Sequence, residues 1–292
     1  MSADLGHRDM NRSPSTRSAG FTRVRGMRPL ILLALCLLAA CDSAPVTGRS
    51  QMMLVSEGEE RQLGAQAYRQ VLASEQQSRN REFNALVDKV GRRIAQAAER
   101  PPANMWKAPH YNWEFRTIEN SAPNAFCLPG GKVAVYSGLL PITRTEAGLA
   151  TVIGHEVAHA LARHSAERLS DQKVVSGATM LAGVGLAVAG GRTGATYAPM
   201  AMAAMGAGAS VGILLPMSRT QESEADHIGL VLMALAGYDP QEAIGLWERM
   251  RTLSQGQKKQ AEWLSTHPTD DTRLADIRHW VPQAMKYYRR RD

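Results

Sequence analysis

The chain has 292 residues, 44% of them hydrophobic and 21% charged, the proportions of a globular protein with room for one large domain or two small ones. Its net charge of +7 does not signal nucleic acid. Residues 1 to 41 hold six Arg and two Asp, the remainder is close to balanced, and no basic-aromatic cluster accompanies the charge.

In chain order, Arg23, Arg25 and Arg28 precede an apolar stretch from Leu30 to Ala40, suited to a signal-peptide core and too short to cross a bilayer. Leu38-Ala39-Ala40-Cys41 resembles a bacterial lipobox. It predicts a signal segment with lipobox over residues 1–41, an acylated Cys41 that becomes the new terminus, and a lipid anchor on the periplasmic side of a bacterial cell envelope. Residues 42–50, rich in Pro, Gly and Ser, read as a linker. Two helices follow. Leu63, Ala67, Val71 and Leu72 form one stripe within Glu57 to Glu75, and Phe83, Leu86, Val87, Val90 and Ile94 form another within Glu82 to Ala98. Tyr111 to Ile118 alternates as a strand does, and Gly130-Gly131 leads into a second, Lys132 to Tyr136. Together they predict a small antiparallel sheet with Val133 to Tyr136 as an edge on which an extended polypeptide docks. Cys127, near this strand, reads as a small buried residue, and the three cysteines allow neither a disulfide framework nor a thiolate metal site.

The run from Leu149 to Leu161 is apolar and helix-compatible, and inside it stands His155-Glu156-Val-Ala-His159. A spacing of four puts the two imidazoles one helical turn apart on one face, able to fill two tetrahedral positions of Zn²⁺, with the Glu156 carboxylate close enough to polarise a water there. Residues 174 to 216 are dominated by Ala, Gly and Met. Pro199, Gly206, Gly208 and Gly212 make them a poor bilayer span, and they read as helices packed over the cleft. Ser218 opens the next helix, whose stripe is Ile228, Val231, Leu232 and Leu235. Within it Glu222 and Asp226 share a face, so that one can be the third ligand while the other holds a ligand histidine or donates a proton. His164 and His227 lie off these faces. Asp239 and Pro240 cap and open a helix through Met250, Arg251 to Glu262 reads as a loop or exposed helix, and Pro268 to Asp271 starts a short helix bearing Arg273. Residues 281–292 read as a solvated tail.

The two carboxylate-imidazole motifs, with Asn124 to Leu140 ahead of them and Ser265-Thr-His-Pro-Thr-Asp-Asp-Thr-Arg273 behind, resemble the gluzincin metallopeptidases of the HtpX, BepA/LoiP and CAAX-prenyl-endopeptidase kind, over about Val46 to Ile277. The resemblance implies a mainly helical α+β fold, a zincin-type domain spanning 51–280 with the small sheet beside the zinc helix. It implies one Zn²⁺ on His155, His159 and Glu222, Glu156 as general base, and Asp226 as proton donor or outer carboxylate. His267 corresponds to a residue that in some members sits over the metal or meets the oxyanion, and Arg273 belongs to the same element. Asp226, His267 and Arg273 are thus candidates to steady the oxyanion or pass a proton. The expected partners are unfolded or misassembled envelope proteins, cut as quality control. The competing expectation is a zinc-bearing scaffold that binds such proteins uncut.

Overall fold

The computed structural model describes residues 41–102, 105–190, 217–256, 263, 266–267 and 271–289. It begins with a hairpin: β1 (Cys41–Ser43) pairs antiparallel with β2 (Ser50–Met52). The stretch from 42 to 50 is therefore not the tether its composition suggests. Ala44 and Gln51 are buried, and Arg49 reaches carboxylates more than a hundred residues away. Two capped helices follow. The Ser56 side chain accepts from Glu59 N–H at the start of α1 (Glu57–Ser74), and Asn80 accepts from Phe83 N–H at the start of α2 (Arg81–Glu99). The predicted stripe of α2 is its buried face, with Phe83, Val87, Val90 and Ile94 all in the core.

The sheet comprises β3 (Glu114–Ile118), β4 (Ala125–Leu128) and β5 (Lys132–Tyr136) in the order β3-β5-β4. It departs from the expected antiparallel arrangement, because β3 and β5 run parallel. A strand absent from the sequence reading, β4, intervenes. Gly130 and Gly131, at φ 86° and 81°, turn it back against β5, and the second reversal returns the chain to its original direction. β5 is thereby the central strand, with Val133, Ala134 and Val135 fully buried, so the segment expected to be an open edge has a neighbour on each side. Among the described strands of this sheet, the edges are β3 and β4.

After the single turn α3 (Leu140–Thr143), Thr145 caps α4 (Glu146–Leu161), and every residue from Gly148 to Leu161 is buried. α4 is the central helix. It ends where Arg163 takes φ 54°, a left-handed conformation anchored by bonds from its guanidinium to Glu60 and to the Val55 carbonyl, and α5 (His164–Gly190) starts in a new direction. Ser218 and Gln221 form a capping box at the head of α6 (Arg219–Leu235). α4 and α6 meet through glycines. A Cβ on Gly229 would lie 3.0 Å from His155 N, and one on Gly154 would lie 3.1 Å from the Gly229 carbonyl oxygen. That close approach sets the distance between the two halves of the site.

The Asp239–Gln241 turn delays the next helix, so α7 runs Glu242–Gly256. α8 (Asp271–Ala284) is longer than the short helix expected, and Val281 and Ala284 belong to the core with Tyr287 and Tyr288 packed against it. The chain from 281 to 288 is thus part of the domain rather than a tail. The mainly helical α+β class stands. Residues 1–40, with their predicted signal segment, and residues 191–216 lie outside the described residues. Among those described, no helix is long and apolar enough to cross a membrane.

Candidate metal centre

α4 presents His155 and His159 from successive turns, with Nε2 atoms 3.1 Å apart. α6 brings Glu222 against them. Its Oε2 is 3.4 Å from His155 Nε2 and its Oε1 is 3.4 Å from His159 Nε2. Donors held about 2.0–2.1 Å from a tetrahedral zinc are separated by roughly 3.3 Å, so each imidazole nitrogen stands at that spacing from one of the two Glu222 oxygens. His267 adds Nδ1 as a fourth donor, 2.9 Å from Glu222 Oε1 and 3.2 Å from His155 Nε2. All four donors lie within 4.8 Å of one another and are buried, a set with the residue types and spacing that suit one zinc ion.

The sequence pairing of Glu222 with Asp226 resolves into two places. Asp226 Oδ1 meets His155 Nδ1 at 2.9 Å, so it holds the imidazole from behind. Arg273, buried on α8, lies between the carboxylates: its Nε is 2.5 Å from Asp226 Oδ2, its Nη1 2.6 Å from Glu222 Oε2, and its guanidinium stacks 3.8 Å over the Trp247 ring. The Glu156 Oε1 atom lies 3.5 Å from His267 Nε2 and accepts from the Trp263 indole N–H at 2.8 Å. Thus His155, Glu156, His159, Glu222, Asp226, His267 and Arg273 converge here.

Charge is distributed unevenly across the cluster. Burial opposes protonation of His155, but Asp226 and Glu222 outweigh it and hold the imidazole up to about 9. His159 is pushed well below its ordinary value by burial, against a smaller pull from Glu222. Burial likewise favours a neutral Glu222, yet Arg273 and the three imidazoles keep its carboxyl well below the usual range. A deprotonated Glu222 and a neutral His159 are the forms that coordinate a metal.

Sequence reasoning missed His164, Glu224 and Trp263. His164 Nδ1 lies 2.8 Å from His159 Nδ1, and its Nε2 lies 3.3 Å from Glu224 Oε2. It is not among the four clustered donors, but it touches one of them. His227 does lie off the site, stacked on Trp280.

This is the arrangement of a metal-dependent hydrolase: a histidine pair and a carboxylate from two helices around one point, with a second carboxylate alongside. Residues 82–281 match Peptidase family M48. Mitochondrial metalloendopeptidase OMA1 of Saccharomyces cerevisiae is 34% identical over 267 residues, covering 86% of this chain and 72% of that one. OMA1 of Schizosaccharomyces pombe is 42% identical over 173 residues, 59% of this chain and 48% of that one. The β-barrel assembly-enhancing protease of Escherichia coli K12 is 30% identical over 247 residues, 84% of this chain and 48% of that one. The chain belongs to Peptidase family M48 and is a metalloendopeptidase whose cofactor is zinc. It spans most of the S. cerevisiae relative and about half of the other two. The mitochondrial relatives, which also include plant and cattle proteins, overturn the expected location on the periplasmic side of a bacterial envelope. The lipid anchor at Cys41 presupposed that setting; in the structure Cys41 opens β1, paired with Met52.

Proposed function

We propose that this endopeptidase hydrolyses peptide bonds in misfolded or misassembled proteins, using Glu156 as base beside a zinc held by His155, His159 and Glu222. The observation that carries the hydrolytic reading is Glu156, a buried carboxylate next to the donor cluster that a purely structural metal site does not need. Zinc supplies a Lewis acid that polarises the scissile carbonyl and acidifies water. Glu156 takes the proton of the attacking water and returns it to the leaving amine. Asp226 fixes the His155 tautomer, leaving Nε2 for the cluster, and Arg273 neutralises the two carboxylates it touches rather than facing the substrate. His267 Nδ1 would offer a fourth donor to the zinc. The edge strand β4, in place of β5, is where an extended polypeptide adds to the sheet. Misassembled proteins as substrates find support in the name of the E. coli relative, a β-barrel assembly-enhancing protease. Casein digestion with added zinc and a chelator control tests the reading. Glu156→Gln is expected to keep the zinc and lose cleavage. Cleavage by that variant would remove Glu156 as the base, and intact casein with zinc-loaded wild type would favour the scaffold.

A further inference from the structure

We infer that the β1–β2 hairpin supports the zinc centre: Arg49 and Thr47 hold Glu224, Glu224 holds His164, and His164 sets the orientation of His159. Each link is a direct contact. His159 Nδ1 and His164 Nδ1 are 2.8 Å apart, His164 Nε2 and Glu224 Oε2 are 3.3 Å apart, Arg49 Nε donates to Glu224 Oε2 at 2.8 Å, and the Thr47 hydroxyl donates to Glu224 Oε1. Arg49 also forks onto Glu167, with Nη1 and Nη2 at 2.5 and 2.8 Å from its two oxygens.

The direction of the protons follows from the ligand role. A histidine that binds zinc through Nε2 carries its proton on Nδ1, so His159 donates and His164 Nδ1 accepts. The His164 proton is then on Nε2, aimed at Glu224. Both bonds point toward one carboxylate, which makes the His159 Nε2 more basic and locks its ring. His155 has its carboxylate, Asp226, in direct contact, whereas His159 reaches its own through an interposed imidazole. The anchoring residues of that second carboxylate lie on a hairpin some 175 residues away in sequence.

This inference rests on His159 being a zinc ligand, and His159→Ala tests that separately. Zinc affinity of the purified full chain is measured by competition with a chromogenic chelator, alongside the melting temperature of the zinc-free protein and the visible spectrum after cobalt substitution. Loss of an outer partner of this kind weakens metal binding about 10–100-fold. Glu224→Ala and His164→Ala are expected to fall in that range with an altered cobalt spectrum, Arg49→Ala to lose several-fold, and Glu224→Gln to lie between wild type and Glu224→Ala because its amide oxygen still accepts from His164. If His164→Ala does not fold, the two Glu224 variants decide. Glu224→Ala with wild-type affinity and spectrum overturns the inference even if its zinc-free form melts lower, since that would mark a merely structural role. Wild-type affinity in His159→Ala overturns the ligand assignment itself.

Discussion

Replacing Gly229 by Ala tests how finely the approach of α4 and α6 is set. The new methyl carbon would stand 3.0 Å from His155 N, 3.1 Å from Gly154 C and 3.2 Å from His155 Cα, all backbone atoms that no side-chain rotation can move. Carbon contacts rest at about 3.5–4.0 Å, so the helices must part by roughly 0.5 Å. Glu222 sits two turns from Gly229 on the same face of α6 and moves with it, while metal sites tolerate only about ±0.2 Å. Zinc affinity is therefore expected to drop about tenfold or more. Stability of the zinc-free chain changes less, because overpacking costs about 1–3 kcal/mol and Ala regains about 1 kcal/mol of helix propensity. Chelator competition and thermal melts with and without zinc measure both quantities. Undiminished zinc affinity with a raised zinc-free melting temperature would refute the reasoning, since the helices would then have slack to spare.

Arg273→Met leaves Asp226 and Glu222 buried without their shared countercharge, and is expected to destabilise the zinc-free protein by about 3–5 kcal/mol in denaturant titrations; a loss below about 1 kcal/mol would contradict that pairing. Burial raises the Glu167 carboxyl, but bonds from Arg49 and Gln221 outweigh it and hold the group below its ordinary 4.5. A depressed carboxyl contributes its stability above that value and loses it as the pH falls further, so wild type and Glu167→Gln are expected to differ in stability at pH 6 and converge in acid, as followed by circular dichroism. Parallel curves would show that the fork to Arg49 does not matter. Burial, reinforced by the charge of Glu156, pushes the Cys127 thiol well above its usual range. Peptide mapping after iodoacetamide treatment is expected to find Cys127 alkylated only in unfolded protein, and rapid labelling of the native chain would count against its burial.

The parts of the site that local spacing fixes were legible in the sequence. His155 and His159 lie on successive turns of one helix with Glu156 beside them, and Glu222 and Asp226 on successive turns of another, so a helical wheel finds both groups. His164 defeated the same wheel because it assumes an unbroken helix: counted from His159 it points elsewhere, but the left-handed Arg163 ends α4 and returns the imidazole to its neighbour. Glu224, midway between the two site carboxylates, projects to the opposite side of α6, where only the folded hairpin reveals its partners. Trp263 follows a polar stretch without periodicity, so nothing local marked it. The sheet was misjudged because the short β4 looked like part of a turn, and one extra strand inverts the sense in which its neighbours run.

The indole of Trp263 and the imidazole of His267 stack on one another, ring centres 5.0 Å apart, directly over Glu156. With Glu156, His155 and His159 only 2–3% exposed, a polypeptide reaches them only after side chains around them move. Retraction of the two rings would break the indole N–H bond to Glu156, so a bulkier or looser residue at 263 would alter both the admission of substrate and the base itself.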